Sequence, residues 1–318
     1  MEYDSRRSYI TGRNRMKVGI FYNSISNPAK FSNKVMLMDN FKAGVIANGD
    51  TVIEYKENRL PDEKLDAGFV LGYTLEDNFR KKIIDQLRLQ KIPQVFVDSN
   101  ILHYNRKEHE WHRYSLNSVY PSDGVYFFKD LDNNKWQTYS QWHNVQVKPW
   151  RAVGEHILIL CQRPKGWNMF GGDQEIWLEK IINKIRRYST RPIIVRMHPG
   201  DGSRFKQMDK IRKRWNNQII VSEKDNIKED LVNCWCAVGI NSTPNVVSAI
   251  EGVPVYLQDP KHSWASDIAF TDISLIESPP MPNRTDWLHK IANIHWSNDE
   301  VKSGELWSAI KTYISTSR

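Results

Sequence analysis

The sequence predicts an α/β fold built from two Rossmann-like domains with parallel sheets. Three observations carry this. Short apolar strands alternate with amphipathic helices over residues 16–99, and a second series of the same kind starts at residue 156. The third is the stretch 239–256, GINSTPNVVSAIEGVPVY, which reads as strand end, polar turn, helix, Gly break and next strand. Such alternation, without repeats or low-complexity segments, implies parallel sheets covered by helices. At 318 residues the chain exceeds a single core, so two domains of about 150 residues are expected.

Residues 1–15 carry four arginines in a polar stretch and are expected to form a disordered basic tail that contacts phosphates weakly. The first domain, 16–147, opens with a strand at 16–22 (MKVGIFY). Val35, Met38, Phe41 and Val45 recur at helical spacing, which places a helix over 34–47. Strands follow at 51–55 and 67–73, then a helix at 77–90 and a strand at 94–99 (QVFVDS). From 101 to 146 the periodicity is lost in an aromatic, turn-rich segment. Residues 148–155, with Pro149 and Gly154, read as the linker. The second domain, 156–283, begins with HILILCQ and continues through a helix at 173–187 and a strand at 191–198. A helix at 203–215 and a strand at 218–223 lead to the strand 234–240 (CWCAVGI), which enters the unit at 239–256. Two closing helices, 284–295 and 298–316, make up the C-terminal segment 284–318.

The second domain holds the strongest candidate ligand groups. Asn241, Ser242 and Thr243 offer N-capping side chains to a helix with Pro244 in its first turn. Backbone N–H groups at such a helix start favour a phosphate oxygen. Glu251, near the helix end before Gly252, is placed either to reach a ribose hydroxyl pair or to sit as an ordinary exposed Glu. In RPIIVRMHPG (191–200), Arg196 and His198 leave the strand on the same side. They leave at the carboxyl edge, where open α/β sheets bind ligands, although a His-Pro pair also makes ordinary loop corners. In the loop QRPKGWNMFGGD (162–173), Arg163 and Lys165 are candidates for pairing with phosphates. The competing reading of that loop is a plain surface loop with Asp173 as a helix cap.

In the first domain the loop after strand one, YNSISNPAKFSNK, is dense in amides and hydroxyls. Asn23, Ser24 and Ser26, with Asp39 on the following helix, are candidate acceptor-binding groups; the alternative is a polar turn that caps the helix. No G-x-G-x-x-G is present, so a nicotinamide fingerprint is not supported. Asp98, which ends QVFVDS, is the candidate catalytic base, because an attacking alcohol must lose its proton as the new bond forms. It is equally suited to capping Ser99 and Asn100, and Asp39 is the second choice of base. His198 is the other candidate catalytic group. Asp130 and Asp132 match an Asp-x-Asp metal motif by letter, but they lie in a polar turn with no strand leading in and read as a loop. Cys161, Cys234 and Cys236 contain no C-x-x-C, which speaks against zinc. Cys234 and Cys236 flank Trp235 in a strand, poor geometry for bridging each other. A reducing cytoplasm fits, and there is neither an apolar run approaching the roughly 18 residues of a spanning helix nor a signal-peptide pattern.

The formal net charge is +8 and the pI near 9.2, which points to a polyanionic partner. The basic stretches 180–191 and 206–215 read first as solvated helix faces and second as a rim for nucleic acid or a diphosphate. Within 104–142, Tyr104, Trp111, Tyr114, Tyr120, Trp136 and Trp142 are either core or stacking surfaces for bases.

The order of a His-Pro corner, an Asn-Ser-Thr turn and a Glu-Gly helix end resembles the donor domain of GT-B glycosyltransferases, particularly the capsule-polysaccharide and Kdo-transferase type. That resemblance implies two Rossmann-like domains facing a central cleft, acceptor domain first and donor domain second, with C-terminal helices crossing back to the first. It also implies a nucleoside-diphosphate sugar, of the UDP-sugar kind, as donor substrate, with no further cofactor and no metal, basic side chains and a helix dipole supplying the positive charge. The segments FYNSISNPAKFSNKVM, KPWR and ILILCQRPKGW resemble a group of tailed-phage proteins associated with DNA-base glycosylation. This implies DNA containing a hydroxymethylated pyrimidine, such as hydroxymethylcytosine, as acceptor and partner. The enzyme would then enter the major groove or flip the base. Two other readings stay open: a GT-B transferase acting on a surface polysaccharide, and a non-catalytic nucleic-acid-binding protein on a nucleotide-type fold.

Overall fold

The computed structural model describes residues 15–25, 32–57, 59–74, 78–102, 110–163, 172–199, 204–215 and 218–317. Along the chain, β1 (Lys17–Phe21) leads to α1 (Ser32–Ala47), β2 (Thr51–Tyr55), β3 (Ala67–Leu71), α2 (Phe79–Leu89) and β4 (Gln94–Asp98). Next come β5 (Trp111–Leu116), α3 (Lys135–Trp142), β6 (His156–Leu160), α4 (Gln174–Arg186), β7 (Ile193–Arg196) and α5 (Arg204–Arg214). The remainder is β8 (Ile220–Val221), α6 (Ile227–Asp230), β9 (Cys234–Gly239), α7 (Pro244–Ile250), β10 (Val255–Leu257), α8 (Thr285–Asn293), β11 (His295–Ser297), α9 (Asn298–Lys302) and α10 (Glu305–Thr316).

β3, β6 and β9 are buried along their whole length, as strands are when helices cover both faces of a parallel sheet. The strand orders are β11-β5-β4-β3-β1-β2 and β10-β9-β6-β7-β8. In the first, β1 runs parallel to β2 and β3, while β11 closes antiparallel on β5. In the second every pair is parallel. Counted within its own series, that sheet runs third, second, first, fourth, fifth strand, which is the doubly wound dinucleotide-binding order. Its order reverses between β6 and β9, where Leu160 lies opposite Gly239.

Packing divides the chain into two compact units, one of Met1–Leu71, Asp77–Val95 and Asn298–Arg318, the other of Gly72–Glu76 and Phe96–Ser297. In the first unit α9 and α10 lie against α1. Close approach there requires Gly44, since a Cβ at that position would sit 2.2 Å from the Val301 carbonyl oxygen. Asp50 anchors the C-terminal helix, accepting hydrogen bonds from Trp307 Nε1 and Lys311 Nζ, both at 2.7 Å. The single helix expected over 298–316 is broken at Gly304, whose φ of 92° starts α10 afresh.

The segment 101–146, which shows no periodicity, contains β5 and α3. The sequence WHRYSL of β5 alternates no apolar face, yet every residue is buried. Arg113 pairs with Asp98. His295, on β11, accepts from the Ile101 N–H at 3.1 Å, donates to the Ile291 carbonyl at 2.6 Å and stacks on Tyr139 at 4.6 Å. Burial, with Arg113 nearby, holds the imidazole well below its usual pKa, so it is a neutral core group.

Candidate functional site

The strand-order reversal creates a pocket of about 170 Å³ in the second unit. β6 ends in Leu160 and delivers Cys161 and Gln162; β7 ends in Arg196 and delivers His198 and Pro199; β9 delivers Ser242 and Thr243 to the start of α7. These are carboxyl ends of parallel strands, so their side chains converge where no further ladder hydrogen bonds are made. Gly239 permits the turn: a Cβ there would meet the Asn245 side chain at 2.5 Å. Asn245, fully buried, donates through Nδ2 to the Ser242 carbonyl at 3.0 Å and fixes the turn from beneath. Burial pushes the Cys161 thiol up to about 12, so the pocket holds no thiolate nucleophile.

Of the expected donor groups, His198, Ser242 and Thr243 line this pocket together. Arg163 is exposed and directly follows the pocket residue Gln162, whereas Lys165 lies outside the described residues. Asn241 is buried behind the wall. It accepts from Gln162 Nε2 at 2.5 Å and donates to Asp259 Oδ2 at 2.9 Å. Thr243 occupies the N-cap position of α7 without a side-chain cap, Pro244 removes one N–H, and the helix is only seven residues long. Its dipole is therefore a weaker source of positive charge than the sequence suggests.

Two expected donor contacts are corrected by their partners. Arg196 borders the pocket, but its guanidinium pairs with buried Asp230 at 2.6 Å and donates to the carbonyls of Lys224 and Asp225 at 2.9 and 2.7 Å. It clamps the loop after β8 rather than presenting a cation. Glu251 sits at the opposite end of α7 from the pocket and pairs with Lys148 and, at 3.0 Å, with Lys228. Burial opposes its charge, but the two lysines win and its pKa is lowered. The carboxylate is thus tied to Lys148 and Lys228 within the unit.

A second pocket, about 460 Å³, lies in the first unit and includes Tyr22, Asn23, Asp39, Lys42, Glu54 and Lys56. Two of the expected acceptor residues, Asn23 and Asp39, are in its wall. Tyr22 donates to Asp39 Oδ1 at 2.5 Å, and burial together with Asp39 pushes the phenol pKa up. Glu54 pairs with Lys56 at 2.8 Å and with Lys42 at 3.2 Å. Asn23 Nδ2 donates to the carbonyls of Glu57 and Arg59. Ser24 is corrected: it is buried, and its hydroxyl accepts from the Leu71 N–H at 3.2 Å, which ties the end of β1 to β3. Ser26 lies outside the described residues.

Asp98 is held on both oxygens. Oδ2 accepts from Arg113 Nη2 at 2.6 Å and Oδ1 from the Ser99 N–H at 2.7 Å, while Arg113 Nε also donates to the Ser99 carbonyl. That arrangement clamps the end of β4 and does not present a carboxylate to an incoming alcohol. Asp132 braces the turn before α3 by accepting from the Asn134 N–H at 2.8 Å, and Asp130 is exposed. Among the described residues no group of three or more His, Cys, Asp or Glu side chains is arranged to hold a metal ion. Trp111 and Tyr114 are buried, Trp142 is exposed, and Tyr104 lies outside the described residues. Three of the basic residues of α5 are paired across to acids: Lys210 with Glu175, Arg214 with Glu179 and Arg212 with Glu223. Sequence reading missed Gln162, Asn245 and the pair Asp259 and His262. The signal for the last two is QDPKHSW, a polar run directly after a buried strand.

No protein-family model and no curated protein matches the chain. Solved structures do. The chain is similar to the beta Kdo 2,4 transferase of Thermosulfurimonas dismutans KpsC, with a TM-score of 0.51 and 12% identity over 88% of this chain and 99% of that one. It is similar to the beta Kdo 2,7 transferase of the same KpsC, with a TM-score of 0.51 and 11% identity over 92% of this chain and 99% of that one. The chain has the GT-B fold. At this identity the likeness is one of fold, and it extends over nearly the whole of both transferases. No helix among the described residues is long and apolar enough to cross a membrane.

Proposed function

We propose that this protein is a glycosyltransferase that takes a nucleoside-diphosphate sugar, of the UDP-sugar kind, as donor. One observation carries the reading: the pocket at the β6/β9 reversal, where His198, Ser242 and Thr243 converge. At about 170 Å³ it suits phosphate groups, since pockets that enclose a whole ligand run to roughly 300–1,000 Å³. In the reaction an acceptor hydroxyl attacks the anomeric carbon and the sugar–phosphate bond breaks. The Ser242 and Thr243 hydroxyls, His198 and Arg163 stabilise the charge that builds on the leaving diphosphate. This route uses no bound metal, so turnover should persist after divalent cations are chelated.

For the acceptor we propose the hydroxymethyl group of a modified pyrimidine in DNA, supported by the +8 charge and by the phage-like segments. The second reading is a saccharide acceptor. The ion pairs that take up Lys210, Arg212 and Arg214 of α5 favour it, as does the balance of two lysines against Asp39 and Glu54 in the first-unit pocket. One experiment separates them: hydroxymethylcytosine duplex, unmodified duplex and an oligosaccharide are each incubated with a panel of nucleotide sugars and analysed by mass. A mass gain on the hydroxymethylated duplex alone supports the DNA reading, and binding to that duplex should fall steeply with salt. Gain on the oligosaccharide alone supports the second. Release of no nucleoside diphosphate with any acceptor overturns the transferase reading in favour of a binding protein.

A further inference from the structure

Behind the pocket wall a chain of hydrogen bonds leads to a histidine that the donor groups do not include. Gln162 Nε2 donates to Asn241, and Asn241 Nδ2 donates to Asp259 Oδ2 at 2.9 Å. Asp259 in turn meets His262 Nδ1 with both carboxylate oxygens, at 2.9 and 2.8 Å. The pair stands on the 3₁₀ turn Pro260–His262, immediately beyond the carboxyl end of β10, on the same sheet edge as Ser242 and Thr243. The His262 ring packs edge-on against Tyr120, with centroids 4.8 Å apart, and Tyr120 packs against Tyr73 at 6.1 Å.

A carboxylate on Nδ1 sets the tautomer. With the Nδ1 proton donated to Asp259, Nε2 carries the lone pair, as a base oriented by an acid requires. We propose that His262 Nε2 is the general base of the transfer and that Asp259, held by Asn241, is its positioning residue. The proposal rests on the transferase reading above. As the acceptor oxygen bonds to the anomeric carbon, its proton passes to Nε2, and the electron pair of the breaking sugar–phosphate bond leaves with the nucleoside diphosphate. The imidazolium so formed is stabilised by Asp259 and later loses its proton to water. Charged and titratable groups among the described residues flank the ring. Asp259 and Lys261 come from its own turn; Tyr120 and Asp123 come from the facing turn, where Lys261 and Asp123 approach to 4.0 Å. Burial, with Tyr73, Asp123 and Asp259 nearby, pushes the Tyr120 phenol up to about 12, so it stays neutral beside the histidine.

The test has two arms on the full chain. In kinetics with the accepted donor and acceptor, His262→Gln should lower kcat by about 100-fold or more, the lower range for a general base, with donor affinity unchanged. The acid limb of the wild-type pH–rate profile should vanish, and Asp259→Asn should lower kcat less. Undiminished kcat in His262→Gln, or an acid limb that persists, overturns the proposal and leaves the transferase reading intact. The second arm needs no turnover: long-range ¹H–¹⁵N spectra of neutral His262 should show the proton on Nδ1. A proton on Nε2 overturns the proposal by itself, and failure of the wild-type protein to bind any nucleotide sugar overturns both.

Discussion

The two ends of α7 differ in what they do with the same kind of residue. At its start, Ser242 and Thr243 line a pocket, with Asn245 beneath them and Asn241 beside them tied into the fold. At its end, Glu251 is closed over by Lys148 and Lys228, Arg284 donates to the Ala249 and Lys148 carbonyls, and the backbone N–H groups of Lys148 and Arg151 bond to Ile250 and Gly252. Gly252 has a φ of 81° and leaves no room for a side chain, since a Cβ would fall 2.1 Å from the Pro149 carbonyl oxygen. One short helix thus carries an end that opens on a pocket and an end sealed by ion pairs and backbone bonds. Polarity in the sequence does not distinguish the two.

Arg196 tests the contrast most severely, because it borders the pocket yet belongs to the sealed interior. Arg196→Ala leaves the buried Asp230 carboxylate without its cation, with only Ser222 still donating to it, and should cost about 3–5 kcal/mol in denaturant unfolding. A loss of donor affinity with stability unchanged would instead return Arg196 to the pocket. Glu251→Ala should be milder, about 1–2 kcal/mol, because Lys148 and Lys228 are half-exposed and can turn to water. Its pKa is lowered in the folded protein, so its contribution is present above the usual value of 4.5 and fades as pH falls through the lower folded value. Calorimetry should find donor affinity intact in this variant, and a clear weakening would restore a ribose role.

Asp98→Asn probes the same distinction at the end of β4. Replacing a carboxylate paired with Arg113 should cost roughly 1–2 kcal/mol, while sugar transfer continues; abolished transfer in a stable variant would reinstate Asp98 as the base. The smallest effect is expected at the open end of α7. Ser242→Ala should leave stability nearly unchanged and weaken donor binding by about 1 kcal/mol, roughly fivefold, the worth of one neutral hydrogen bond. Equal donor affinity in wild type and variant would remove Ser242 from the phosphate site.

Much of the architecture was legible because burial imposes periodicity. The apolar runs HILIL and CWCAVG became central strands, and the Val35, Met38, Phe41, Val45 spacing became α1, with Met38, Phe41 and Val45 in the core. β5 and α3 were not legible. WHRYSL buries His112, Arg113 and Ser115, and a polar run of this kind offers no apolar alternation to read as a strand. The pocket was legible in part: His198, Ser242 and Thr243 come from strand ends that the pattern located. Asp259 and His262 gave no periodic signal because they sit on a turn whose use depends on what packs beside it.

The sequence by itself determined the alternation of strands and helices, the turn before α7 and the Gly252 break, since these follow from local propensity and from which residues must leave water. The tertiary structure alone decided which charged groups are paired within the fold. Arg196, Glu251 and Asp98 each find a partner far away in the chain, in Asp230, Lys148 and Arg113. A buried charge takes the nearest compensating group, and proximity of that kind exists only once the chain has folded.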